Sequence, residues 1–269
     1  MSQRNSQAAK NAARERLRQE RERDAKRAKT KRQVVVAVSV VAGLAIAGGV
    51  AYGIAQANKP ERWDIAEDAK LIAPANTSGK NGLEVIIGDT DAKKTLKIYE
   101  DPRCPVCAAF EQNAGPAVKK GAEDGQYKIQ FIGASFLDDK LTGEGSKHAL
   151  NALGAALNVS PDAFLDYKAA LYSAKWHPEE TTDKFADDEY LIKIADTVDS
   201  LKSNKEFQKD VNEGTYDKWA LELSDVFKKD KIQGTPTLKM DGKVITGPDG
   251  NAPMTEADFR QAIATALKD

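Results

Sequence analysis

YEDPRCPVCAAFE, residues 99–111, holds both of the chain's cysteines, Cys104 and Cys107, three positions apart with Pro105 and Val106 between them. Proline suits the first position of a helix, so a helix is expected to begin at Pro105, directly after a strand that ends near Glu100. Cys104 then sits where the unpaired N–H groups and the positive end of the helix dipole favour a thiolate. Cys107 falls one turn further in, more shielded and within reach of the first sulfur. Arg103 offers a positive neighbour to Cys104, or stands as an ordinary exposed arginine.

Four chemistries compete for such a pair. Structural zinc takes four ligands, and beyond these two thiols the chain has only His148 and His177, which read as surface or packing residues. A structural staple gains most from cysteines far apart: about 2 kcal/mol for a loop this small against about 4.7 kcal/mol for one of a hundred residues. Two unbridged thiols would tend to oxidise outside the cytoplasm. A cycling dithiol/disulfide fits the strand-to-helix placement, with one sulfur for intermolecular chemistry and one to resolve it.

The flanks read as mixed α and β. LEVIIGD (83–89) and TLKIYE (95–100) alternate as strands do, and so does YKIQFIG (127–133). Pro116 after Gly115 is expected to kink the intervening helix, and Gly121 or Gly125 to end it. Helices should start near Ser146 and at Ser160-Pro161, an N-cap followed by proline. Leu191, Ile194, Ala195 and Val198 recur at helical spacing, as do Trp219, Leu223, Val226 and Phe227. TPTLKM and KVITG flank Asp241-Gly242, a hairpin signal, and Thr255 caps a last helix whose apolar face holds Phe259 and Ile263. The order is β, β-α-β, helices, β-β-α.

The first 32 residues carry twelve Lys or Arg against four Asp or Glu, leaving −9 for the rest of a chain whose net charge is −1. That arm has almost no large apolar residue and builds no core. It could suggest nucleic acid, but its sequel explains it better. Val34 to Ala55 is 22 residues without a charge, about 33 Å as a helix and long enough for a hydrocarbon core of about 30 Å. Lys29, Lys31 and Arg32 beside it place the N-terminus in the cytoplasm and everything after residue 57 outside. An A-x-A pattern at 55–57 resembles a cleavage site; the long apolar run and long basic leader favour an uncleaved anchor. Residues 56–82, with Pro60, Pro74, Gly79 and Gly82, read as a tether. The expected domains are a cytoplasmic basic segment (1–32), a transmembrane anchor (33–55), a linker (56–82) and a folded domain (83–269) with a helical insertion at about 138–230.

YEDPRCPVC after a strand, a kinked helix, a helical insertion, and GTPT (234–237) before a hairpin resemble the DsbA family of the thioredoxin fold, especially its membrane-tethered Gram-positive members. The resemblance covers roughly residues 80–269. It implies an α/β thioredoxin fold with a helical insertion between the βαβ and ββα halves, plus one N-terminal transmembrane helix. It implies an extracytoplasmic thiol:disulfide oxidoreductase that introduces disulfides into exported proteins, with Cys104 as nucleophile, Cys107 as resolving cysteine and Pro236 as a cis-proline. The Thr235 backbone, turned toward Cys104, would then offer N–H and C=O groups to an extended client. Glu100 would act as a proton relay for Cys107, or be simply solvated at a strand end. Partners would be exported proteins with unpaired cysteines and a quinone-linked membrane reoxidase; no nucleic acid, metal or cofactor is expected. Two departures, Pro-Val between the cysteines instead of Pro-His and Thr235 instead of Val, leave a reductase or isomerase open, and beside it a tethered binding module with an inert disulfide.

Overall fold

The computed structural model describes residues 61–268 together with seven residues of the basic arm (14, 15, 18, 21–23 and 26), which are helical and exposed. The chain divides into two units, Met1–Glu61 and Arg62–Asp269, and the second carries the fold. The expected membrane span at 33–55 lies outside the described residues. Among the described residues no helix is long and apolar enough to cross a membrane.

The elements of the second unit run α1 (Arg62–Asp68), β1 (Val85–Ile87), β2 (Thr95–Glu100), α2 (Pro105–Glu123), β3 (Lys128–Gly133), α3 (Phe136–Leu141), α4 (Gly145–Val159), α5 (Pro161–Leu171), α6 (Asp188–Ala195), α7 (Lys205–Glu213), α8 (Asp217–Lys229), β4 (Thr237–Met240), β5 (Lys243–Ile245) and α9 (Glu256–Ala266). The strands form one mixed sheet in the order β1-β3-β2-β4-β5. β2 pairs with β3 in parallel, Ile98 opposite Phe131, and with β4 antiparallel, Ile98 opposite Leu238. The βαβ and ββα halves therefore share one sheet, with α3 to α8 inserted between them.

Flanked by β3 and β4, β2 is central, and its last three residues, Ile98, Tyr99 and Glu100, are all buried. Ile98 and Phe131 join the main core with Phe110 of α2 and Phe164 of α5, while Tyr99 and Ile132 meet Phe227 of α8 on the opposite face. Phe110 and Phe259 meet edge-to-face at 6.3 Å, which packs α9 against α2. Helix starts follow the caps: Ser160 accepts from Ala163 N ahead of Pro161, and Thr255 accepts from Asp258 N. Asp241 and Gly242 both take positive φ, 50° and 82°, as a tight hairpin requires.

Helix α2 runs 19 residues through Pro116, and Gly125, at φ 69°, lies just past its end, one of the two glycines expected to stop it. One expectation changes. Residues 62–82 are no tether: they are strapped to the domain. Trp63 and Ala66 of α1 are buried, and Trp63 meets His148 edge-to-face at 5.2 Å. Arg62 binds Asp217 through Nε and Nη2 (2.6 and 2.8 Å) and Asp188 through Nη1 (2.7 Å). Trp219 Nε1 donates to Gly82 O at 2.8 Å, and Asn76 Nδ2 to Leu157 O at 2.8 Å. The prolines and glycines here shape turns on a packed surface, and the partners that tie this segment to the domain, among them Leu157, Asp188, Asp217 and Trp219, lie more than 70 residues away.

Candidate active site

Cys104 is the N-cap of α2, with φ −74° and ψ 117°, and its carbonyl accepts from Ala108 N at 3.1 Å. An Asx turn sets this corner: Asp101 Oδ1 accepts from Arg103 N at 3.0 Å and Asp101 O from Cys104 N at 2.9 Å. The Thr235–Pro236 peptide is cis, and the Cys104 Sγ–H donates to Thr235 O at 3.6 Å. Two segments 131 residues apart thus meet at one sulfur.

The two sulfurs are unequal, and both are unbridged thiols. Cys104 is 6% exposed and Cys107 fully buried. The first sulfur is more enclosed than its place at a helix start suggests, because Leu137, Ala108 and Tyr172 pack around the pair. The Cys104 pKa is lowered to about 6, foremost by a hydrogen bond from the Cys107 thiol. Burial opposes this; Thr235 and the backbone N–H groups of Cys107 and Val106 reinforce it. Cys107 moves the other way, well above the usual thiol range, because burial and the neighbouring Cys104 sulfur both oppose its charge. Thr235 lowers both sulfurs, while its buried Oγ1 makes no hydrogen bond of good geometry to any protein atom.

Arg103 is not exposed, and its charge is already engaged by carboxylates. It is 2% exposed, and its Nη1 pairs with Asp138 at 2.9 Å and Asp183 at 3.3 Å. Asp138 Oδ1 also accepts from Ser146 N, and Asp101 accepts from Ser146 Oγ at 2.6 Å and Leu137 N at 3.1 Å. Burial pushes the Asp101 carboxyl up to about 7. This network fastens the 101–104 turn to α3 and α4. His177 adds to it through Nε2 against Pro102 O at 3.1 Å.

Glu100 is not solvated. It is fully buried, with Oε2 on Lys168 Nζ at 2.9 Å and Oε1 without a protein partner. Burial raises its pKa to about 7; Lys168 pulls it down and Glu111, which shares the same ammonium at 2.6 Å, pushes it up. Burial alone would neutralise Lys168, but Glu100 and Glu111 hold it charged. These three groups line a cavity of about 410 Å3 between α2 and α5. Lys168 left one trace in the sequence, since it occupies an apolar position of the stripe Phe164, Tyr167, Lys168, Leu171. Asp138 and Tyr172 left none.

Among the described residues no cluster of three or more His, Cys, Asp or Glu could hold a metal ion. What the geometry offers is thiol–disulfide exchange, with one stabilised thiolate at the helix start, 6% exposed, and one protonated thiol fully buried behind it.

The thioredoxin family model matches residues 80–265, and the chain belongs to that family. Disulfide bond formation protein D of Bacillus subtilis is 26% identical over 161 residues, 60% of this chain and 68% of that protein. Serine/threonine-protein kinase PknE of Mycobacterium tuberculosis is 25% identical over 172 residues, but these make up only 29% of the kinase. Two solved structures share the fold: oxidised DsbA of Mycobacterium tuberculosis (TM-score 0.57, 23% identity, 69% of this chain and 93% of that one) and BdbD of Bacillus subtilis (TM-score 0.55, 23% identity, 74% and 100%). The chain is a thiol:disulfide oxidoreductase with a DsbA-like fold.

Proposed function

We propose that the chain donates disulfides to exported proteins through Cys104 and Cys107, from a position anchored in the cell membrane by residues 33–55. The observation that carries this reading is the asymmetry of the two sulfurs, one held near a pKa of about 6 and the other raised well above the thiol range. In the oxidised protein a client thiolate attacks Cys104 Sγ, the 104–107 bond breaks, and its electron pair passes to Cys107 Sγ. A second client thiolate then attacks the client sulfur of the mixed disulfide and expels Cys104 as thiolate. The client leaves oxidised by two electrons and the protein reduced by two. A low-pKa thiolate leaves readily, so stabilising Cys104 drives the disulfide toward the client.

Glu100 serves as the relay that delivers a proton to Cys107. A carboxyl with a pKa of about 7, buried beside Lys168 and lining a cavity, is suited to exchange protons at neutral pH. Thr235 and Pro236 serve as the client rest. With Val106 and Val244, both about half exposed, they line a groove of about 490 Å3. An extended client chain laid there places its cysteine against Cys104.

The anchor rests on the 22-residue uncharged run and the basic arm before it, which also put the exchange domain on the outer side. A quinone-linked membrane partner completes the cycle by reoxidising the dithiol; it follows from the resemblance to tethered DsbA-like proteins. Mutating Cys104→Ala in the full-length chain should abolish oxidation of a reduced dithiol peptide, and Cys107→Ala should accumulate clients as mixed disulfides in cells. Undiminished oxidation by Cys104→Ala would end this reading.

A further inference from the structure

Tyr172, which terminates α5, is 1% exposed, and its hydroxyl has no protein partner. Its ring is held on three sides. It stacks on His177 at 5.9 Å, carries the Lys168 ammonium 5.2 Å from its centre, and packs in one small cluster with Cys104, Cys107, Ala108 and Leu137. Its own carbonyl accepts from Gln112 Nε2 at 2.6 Å, which ties the end of α5 to α2. A buried hydroxyl left unpaired is costly, and here the ring that carries it is held in place beside the two cysteines. Such a group is explained if its partner exists only in another state of the site.

The exchange reading supplies that state. When a client thiolate attacks Cys104, the electron pair of the 104–107 bond arrives on a sulfur fully enclosed by protein. A thiol of raised pKa is a poor leaving group, and a bare anion in a low-dielectric pocket is poorer still. In the dithiol Cys104 has helix N–H donors and Thr235; the Cys107 sulfur lies one turn deeper, and Glu100 adds negative charge beside it. We propose that the Tyr172 hydroxyl is the hydrogen-bond donor that holds the Cys107 sulfur while it is an anion, between client attack and the arrival of its proton. Tyr172 stays protonated throughout, since burial first and then Glu100 and Cys107 push its pKa up, so it donates a hydrogen bond and never the proton. Because the bond is absent in the dithiol, it lowers the barrier without stabilising the reduced protein. The Lys168 ammonium over the ring polarises the phenol toward donation.

This inference rests on the exchange reading, and the test separates the two. Oxidised full-length protein is mixed with glutathione at pH 7, and the attack on Cys104 is followed by stopped-flow fluorescence. Tyr172→Phe keeps every ring contact and removes only the unpaired hydroxyl. A hydrogen bond to a charged group predicts a rate about ten- to hundredfold lower. The pH midpoint of Cys104 alkylation and the urea midpoint of the reduced form should hold, the latter or even rise. An unchanged rate, or a slower one with a displaced alkylation midpoint or a lower urea midpoint, overturns the role of Tyr172. If the wild-type disulfide does not exchange with glutathione at all, the functional reading itself fails and this inference with it.

Discussion

Taking the reduced protein from about pH 8.5 to about pH 5.5 should cost it about 3 kcal/mol of stability relative to the oxidised protein. The magnitude comes from Cys104. Its pKa stands at about 6 in the folded dithiol, against about 8.5 to 9 for a thiol of the unfolded chain. A group whose folded pKa is depressed stabilises the fold above its unfolded pKa, and this contribution is lost as the pH falls through the folded value. One proton per molecule is linked to unfolding across that window, so the slope approaches about 1.4 kcal/mol per pH unit. Cys107, shifted upward, stays neutral in the folded dithiol and subtracts only a few tenths of a kcal/mol, about 0.2–0.4, at the alkaline end, where the unfolded thiol begins to ionise. Glu100 and Asp101, both near 7, titrate in reduced and oxidised protein alike, so they largely cancel in the difference. The assay is urea unfolding at a series of pH values, with and without reductant. Tryptophan emission serves as the signal, because all three tryptophans (63, 176 and 219) lie in the folded unit. A reduced-minus-oxidised difference that stays flat across the window would show that no thiolate is stabilised at Cys104.

Other perturbations separate the parts of the site. Thr235 holds the Cys104 pKa down, so Thr235→Val should raise the Cys104 alkylation midpoint by about one pH unit. Arg103→Met strips the buried partner from Asp138 and should destabilise the domain by about 3–5 kcal/mol in urea, with the alkylation midpoint moving little because that charge is already neutralised. Arg62→Met should release α1, seen as faster proteolysis between residues 62 and 82 and a loss of about 2–3 kcal/mol in urea. Glu100→Gln should flatten the rise of the glutathione exchange rate around pH 7, because the amide cannot carry the proton; an unaltered pH profile would remove Glu100 from the relay.

The parts of this protein that were legible in its sequence are those written in local chemistry. Cys104 and Cys107 at a strand-to-helix corner, Thr235-Pro236 before a hairpin, Ser160-Pro161, Asp241-Gly242 and the alternation of β2 and β3 all depend on neighbours within a few positions. The parts that were not legible depend on pairings across long separations. Glu100 meets Lys168 at a distance of 68 residues along the chain, and Arg103 meets Asp138 at 35. No periodicity marks either partner, apart from the lysine set in an apolar stripe. Residues 62–82 have the composition of a linker, and their packing shows only in distant contacts such as Arg62 with Asp188 and Asp217 and Trp63 with His148. The active corner is therefore read from the sequence as a motif, whereas the charged network that tunes it emerges only from the fold.

The most direct measurement is the reduction potential of the 104–107 pair, taken by equilibration with glutathione buffers at pH 7. A stabilised Cys104 thiolate favours the dithiol form, so the potential should lie well above the value near −270 mV that marks thioredoxin, in the range of disulfide donors. A potential at or below about −270 mV would make the chain a reductant and contradict the account.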